Sequence, residues 1–257
     1  MTSVRVDITI SNLCFTHSAT KIRVADFLHL VQKRLPQTLK RVSVFEDFSD
    51  NLAAALQVGN AQLPLSWHHQ VDASRIVDSR IGAAFASRSL DLEQLSVSYM
   101  VNAEDFFRAC LPTWTWPRLQ SLALTSQLLQ NTGSRHEIDV LLYEAGITAL
   151  RMPTLHTLVL WDGTRGNACE FIYHTDRDYA HVTWRGTWDM ELSPRVVKVW
   201  ERVALESHSR PLRVGKQQVH GVIGSHGDAI HHLGLPCRVV APASLWQIRR
   251  EATQHKE

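Results

Sequence analysis

The chain has 257 residues, with 27 lysines and arginines against 25 aspartates and glutamates and a formal net charge of +2. That balance excludes a global field drawing the protein to nucleic acid or to an acidic membrane. A hydrophobic content of 44% with 20% charged residues excludes an intrinsically disordered chain.

Val4, Val6, Ile8 and Ile10 alternate with Arg5, Asp7 and Thr9, which predicts a half-buried strand. Ser18–Leu35 reads as a helix with Ile22, Ala25, Leu28 and Val31 on one stripe, stopped by Pro36. A strand at Leu39–Phe45 and a short helix at Ser49–Leu56 follow. Gly59, Pro64 and Ser66 then mark residues 57–78 as a surface insertion. A helix at Ser79–Ser89 feeds a strand beginning at Leu92. Asn102 caps a helix over Phe106–Leu111, and Trp114 and Trp116 turn the chain back to the next strand. Ser134 and Glu137 form a capping box. The helix they open runs to about Arg151, with Ile138, Leu141, Leu142, Ala145 and Ala149 inward.

Beyond Leu160, Ala168–His174, Tyr179–Arg185 and Trp188–Leu192 read as a small meander. Ser193 and Pro194 start a helix over Val196–Glu206 that buries Val196, Val199, Trp200 and Val203. A short strand at Leu212–Val214 precedes two capped helices, Ala229–Leu233 behind Ser225 and Asp228, and another from Ser244 to about Thr253.

One phrase organises the chain. It reads Leu39-Lys-Arg-Val42-Ser-Val44, Leu92-Glu-Gln-Leu95-Ser-Val97, Leu119-Gln-Ser-Leu122-Ala-Leu124 and Leu155-His-Thr-Leu158-Val-Leu160. Apolar residues at its first, fourth and sixth positions are how a leucine-rich repeat enters a stacked core. The copies stand 53, 27 and 36 residues apart, whereas regular repeats run about 20–29 residues. The predicted fold is therefore α/β: a short, irregular leucine-rich-repeat-like solenoid with a mixed α+β C-terminal cap. It forms a single domain over 1–257, with the repeat stack in 1–163 and the cap in 164–257 covering the last open face.

Leu39–Asp47, Ser89–Cys110, Trp114–Ser126, Trp184–Trp188 and Ser225–His232 resemble a family of fungal F-box or leucine-rich-repeat-like proteins of unknown function. The resemblance spans the chain and implies a fold, with no activity. Relatives commonly begin with an F-box-like helical segment that this sequence does not show. That departure admits a truncated remnant of an F-box-type substrate receptor as one reading. Val4–Ile10 would then be an uncovered edge, predicting self-association through that strand, aggregation or marginal stability.

Strand alternation places Arg41, Ser43, Phe45, Gln94, Ser96, Ser98, Ser121, Thr125, Thr157 and Trp161 on the concave face, with Ala123 and Val159 between them. Small polar side chains in the middle leave room for a partner's groups, and Phe45 and Trp161 are anchor candidates. The expected function is non-enzymatic binding of another protein through this face. The alternative is a metal-dependent or hydrolytic enzyme centred on Ser225–His232, where His220, His226, His231 and His232 cluster near Asp228. No HxxxH or HExxH spacing occurs, and Ser225 with Asp228 reads better as a helix cap, so no catalytic residue, metal or cofactor is expected.

Cys14, Cys110, Cys169 and Cys237 lie far apart, without a zinc clip or redox pair. They fit a reducing compartment. With no leader-like start and no apolar run near the roughly 20 residues of a membrane helix, the expected setting is intracellular, cytoplasmic or nuclear.

Overall fold

The computed structural model describes residues 5–11, 27–47 and 78–254. The expected helix at Ser49–Leu56, most of the one at Ser18–Leu35, and all of the 57–78 insertion but Asp78 lie outside the described residues.

Among the described residues, eight strands form one sheet in the order of the sequence. They are β1 (Arg5–Ser11), β2 (Arg41–Asp47), β3 (Gln94–Asn102), β4 (Ser121–Thr125), β5 (Thr157–Thr164), β6 (Asn167–Thr175), β7 (Ala180–Gly186) and β8 (Leu212–Gln218). β1 through β5 run parallel. β6 is antiparallel to both neighbours, and β8 is parallel to β7. The protein is thus a mixed α/β fold on an unbroken sheet.

The repeated phrase explains the first half. Its fourth positions, Val42, Leu95, Leu122 and Leu158, are in register across β2–β5, as are its sixth, Val44, Val97, Leu124 and Leu160. Leu39, Leu92, Leu119 and Leu155 turn inward just before the strands, and all twelve positions are at most 2% exposed. Burying each contributes about 1.5–3 kcal/mol. The residue after each leading leucine continues the stack through the backbone: Glu93 N donates to Lys40 O, Gln120 N to Glu93 O, and His156 N to Gln120 O.

These apolar positions pack under helices on one face of the sheet. α1 (Ser79–Ser89), α2 (Ala103–Ala109), α3 (Arg135–Ala149) and α4 (Pro194–His208) bury Ile81, Phe85, Phe106, Ile138, Leu142, Val199 and Trp200 in this core. Ser134 caps α3 by accepting from Glu137 N, and Ser193 caps α4 through Val196 N. Asn102 precedes α2 but makes no side-chain cap; its Oδ1 accepts from Gln127 N at 3.2 Å instead. Trp184 and Trp188 meet edge to face at 4.7 Å, yet Trp188–Leu192 is irregular chain and not a third meander strand. The expected Leu212–Val214 strand extends to Gln218.

α3 and α4 touch at Gly146, where an added Cβ would lie 2.5 Å from Val199 Cγ1 and 3.3 Å from Trp200 Nε1. Alanine gains about 1 kcal/mol of helix propensity over glycine. Overpacking costs about 1–3 kcal/mol, and β-branched Val199 is held to one rotamer in its helix and cannot swing away. Gly146→Ala is therefore expected to lower stability by up to about 2 kcal/mol in urea unfolding; a raised midpoint would show that the two helices separate freely.

The opposite face carries a second layer. α5 (His226–Leu233) and α6 (Pro242–Gln254) place Ala229, Ile230, Leu233 and Ile248 over Phe45, Tyr99, Ala123, Val159 and Trp161. α5 sits very close to β5, because a Cβ on Gly163 would come within 2.5 Å of Ala229 Cβ. A bulge in β3 supplies part of this layer. Tyr99 has φ 70, its N–H donates to Thr125 Oγ1 at 2.7 Å and its hydroxyl to Gly163 O at 2.7 Å. Among the described residues no helix is long and apolar enough to cross a membrane.

Candidate functional site

The first residues of β2, β3, β4 and β5 lie side by side, and the row continues through the other half of the sheet. Arg41 pairs with Gln94, Gln94 with Ser121 and Ser121 with Thr157. Thr157 pairs with His174, His174 with His181 and His181 with Arg213. Paired residues project from the same face, here the face that α5 and α6 cover elsewhere. Arg41, Gln94, Ser121, Thr157, His174 and His181 are half-buried and Arg213 is exposed. With strands about 4.8 Å apart, the row spans about 29 Å.

Its chemistry is that of hydrogen-bond donors with no carboxylate in the row. The His174 and His181 rings stack at 4.7 Å with an interplanar angle of 8°. Burial, reinforced by the neighbouring His181 charge, lowers the His174 pKa. His181 Nε2 lies 2.8 Å from Asp176 Oδ2. Asp176 titrates well below the usual carboxylate range because the Tyr179 and Asp178 amides donate to it, and His181 adds to this. Arg213 lies with its guanidinium carbon 3.3 Å from the Tyr179 ring centre.

The rest of the expected concave face is not open. Ser43 and Ser96 are 7% exposed, Thr125 2%, Phe45 1%, and Ser98 and Trp161 0%. The alternation put each of these on the correct face, but that face is covered by the chain's own residues 219–254. Phe45 and Trp161 are core side chains here, not exposed anchors: Tyr99 meets Phe45 at 5.5 Å and Trp161 at 5.1 Å, both edge to face. The C-terminal segment lies across the sheet and is not a lid on its end. Of the ten expected binding residues, Arg41, Gln94, Ser121 and Thr157 remain reachable.

The model of a family of unknown function, DUF6546, matches residues 34–241. The chain belongs to that family. No curated protein and no solved structure matches it. The matched span holds β2 through β8 and α5, and so the whole row from Arg41 to Arg213.

Within this DUF6546 chain the Ser225–His232 segment is built as a helix start. Ser225 Oγ accepts from Asp228 N at 3.1 Å, and Asp228 Oδ2 accepts from Gly224 N at 3.2 Å. Asp228 also faces Arg249 at 3.6 Å. His226 is 4% exposed and stacks on Phe45 at 6.1 Å, whereas His220 and His231 are exposed. The four histidines do not converge. Among the described residues no three His, Cys, Asp or Glu side chains are grouped to hold a metal.

Three residues of the site escaped sequence reasoning: His174, His181 and Arg213. The first two were within reach. Strands at Ala168–His174 and Tyr179–Arg185 about a short turn pair His174 with His181 directly. Arg213 needed β8 to be recognised as a full strand parallel to β7.

Proposed function

We propose that this chain is a non-enzymatic protein-interaction module that holds an extended segment of another protein along the row from Arg41 to Arg213. The observation that carries it is that seven adjacent strands each offer one hydrogen-bonding side chain, at least partly open, beside the area that α5 and α6 cover. A strand rises about 3.3 Å per residue, so about nine extended residues would cover the row. β2–β5 and their helices act as a leucine-rich-repeat-like stack that fixes the spacing of the donors, supported by the identical burial of the four leading leucines. Against chemistry at Ser225–His232 stands the use of the Ser225 hydroxyl as a helix cap.

Thr157→Trp tests this directly. Thr157 is half-buried at the centre of the row, and tryptophan is well tolerated in a strand, so the fold should survive while the row is blocked. A partner recovered with the wild-type chain and with Glu201→Ala, on exposed α4 surface, should bind Thr157→Trp at least about tenfold more weakly, or ~1.4 kcal/mol. Equal affinity for all three chains would sink the proposal.

A further inference from the structure

We propose that the cleft between the starts of β2–β4 and the Cys237–Arg238 segment binds a single oxyanion, a carboxylate or a phosphate group. Arg41, Gln94, Ser96 and Ser121 form its floor, and Cys237 and Arg238 its opposite wall. Its cavity volume is about 40 Å³. That is far below the roughly 300–1,000 Å³ of small-molecule sites, so the cleft suits one small charged group, not a cofactor.

The lining supplies donors without acceptors of matching charge. Two guanidiniums and the hydroxyls of Ser43, Ser96 and Ser121 meet there, and no carboxylate among the described residues lines the cleft. Ser96 is 7% exposed, and its Oγ is buried without a hydrogen-bond partner among the described residues, as is Arg41 Nε. A buried polar group without a partner is unfavourable, and an oxyanion in the cleft would supply acceptors to both. Planar guanidinium donors match carboxylate and phosphate oxygens in pairs. The two nearby groups that could compete do not. The Cys237 thiol is pushed up to about 12 by burial and stays neutral. Glu170, whose charge would add to that shift, does not line the cleft, and burial raises its own pKa to about 8.

Because the cleft opens at the Arg41 end of the row, a peptide-borne acidic group is the natural occupant; only that last step rests on the function proposed above. The test titrates inorganic phosphate, acetate and a short phosphoserine peptide into the full chain at constant ionic strength set with chloride. Binding is followed by amide chemical shifts of Gln94, Ser96 and Ser121. Saturable shifts are expected with phosphate, and tighter ones with the peptide if the group is peptide-borne. Arg41→Gln with Arg238→Gln should weaken phosphate binding at least tenfold, and Ser96→Val severalfold, while Arg202→Gln, on exposed α4 surface, leaves it unchanged. Thr157→Trp should keep phosphate binding even where it loses a protein partner, which separates the two proposals. No saturable shift with any of the three probes, or equal binding by the doubly substituted chain, overturns the anion site.

Discussion

Replacing Trp161 with alanine is expected to lower the unfolding free energy by about 3–5 kcal/mol, the cost of a large aromatic removed from a core. Trp161 is 0% exposed and stands edge to face with Tyr99 at 5.1 Å, under Ala229, Ile230 and Leu233 of α5. Its removal leaves a cavity between sheet and cover that the parallel strands cannot collapse to fill. Trp161→Phe should cost far less. It retains most of the apolar contact and removes the indole N–H, which is buried without a hydrogen-bond partner among the described residues. Urea unfolding of the three chains at equal concentration measures the order, with an unchanged slope showing that the same surface is exposed. Alanine and wild-type midpoints that coincide would mean that the cover is not seated and the aromatic face is open.

The stability of the wild-type chain should fall as pH rises from about 4.5 to about 8, and Glu170→Gln should remove that part of the fall. Glu170 is 0% exposed, and burial raises its pKa from an ordinary 4.5 to about 8, with Arg185 pulling the other way. The ion pair with Arg185 at 3.4 Å is too long, and Arg185 too occupied with the Leu233 and His232 carbonyls at the end of α5, to offset the burial. Between those pH values the folded state holds a proton that the unfolded state releases, so raising the pH favours unfolding. At about 1.4 kcal/mol per pKa unit, the effect is of order a few kcal/mol. His174 and His208 act in the opposite sense. Burial lowers both pKa values, so their contribution grows as pH rises through the histidine range. The difference between wild type and Glu170→Gln isolates the carboxyl, because glutamine copies its neutral form. A difference that stays constant from pH 5 to 8.5 would show Glu170 charged throughout.

The strands of the first half were legible because each carries its own signal. A leading leucine and two alternating apolar residues locate Leu92–Val97 without reference to the rest of the chain. The face assignment was equally local, and Arg41, Gln94, Ser121 and Thr157 lie where alternation put them. What covers the face was not legible. Ile230 and Leu233 form an ordinary apolar stripe on a short helix, and nothing in their spacing says that they meet Phe45 and Trp161 rather than the end of a stack. β8 was read short because Gly215, Lys216, Gln217 and Gln218 break the alternation. It is an outer strand at the sheet's end, mostly solvent-facing, so burial imposes no pattern on it. The bulge at Tyr99 was hidden for the opposite reason, since Ser-Tyr-Met continues a plausible strand until the left-handed residue interrupts it.

The position of the cover in the chain has a consequence for biosynthesis. Parallel strands β1–β5 and the helices between them join neighbours in sequence, so that layer can assemble as the chain emerges. Its other face cannot, because Phe45, Tyr99, Val159 and Trp161 wait for Ile223, Ala229, Ile230 and Ile248, which follow β8 in the chain. Until then the nascent protein carries a bare aromatic sheet surface, the kind that chaperones hold and that clumps when they do not. Ribosome-bound chains stalled after Gln218 should therefore retain such helpers, and chains stalled with α6 fully emerged should release them.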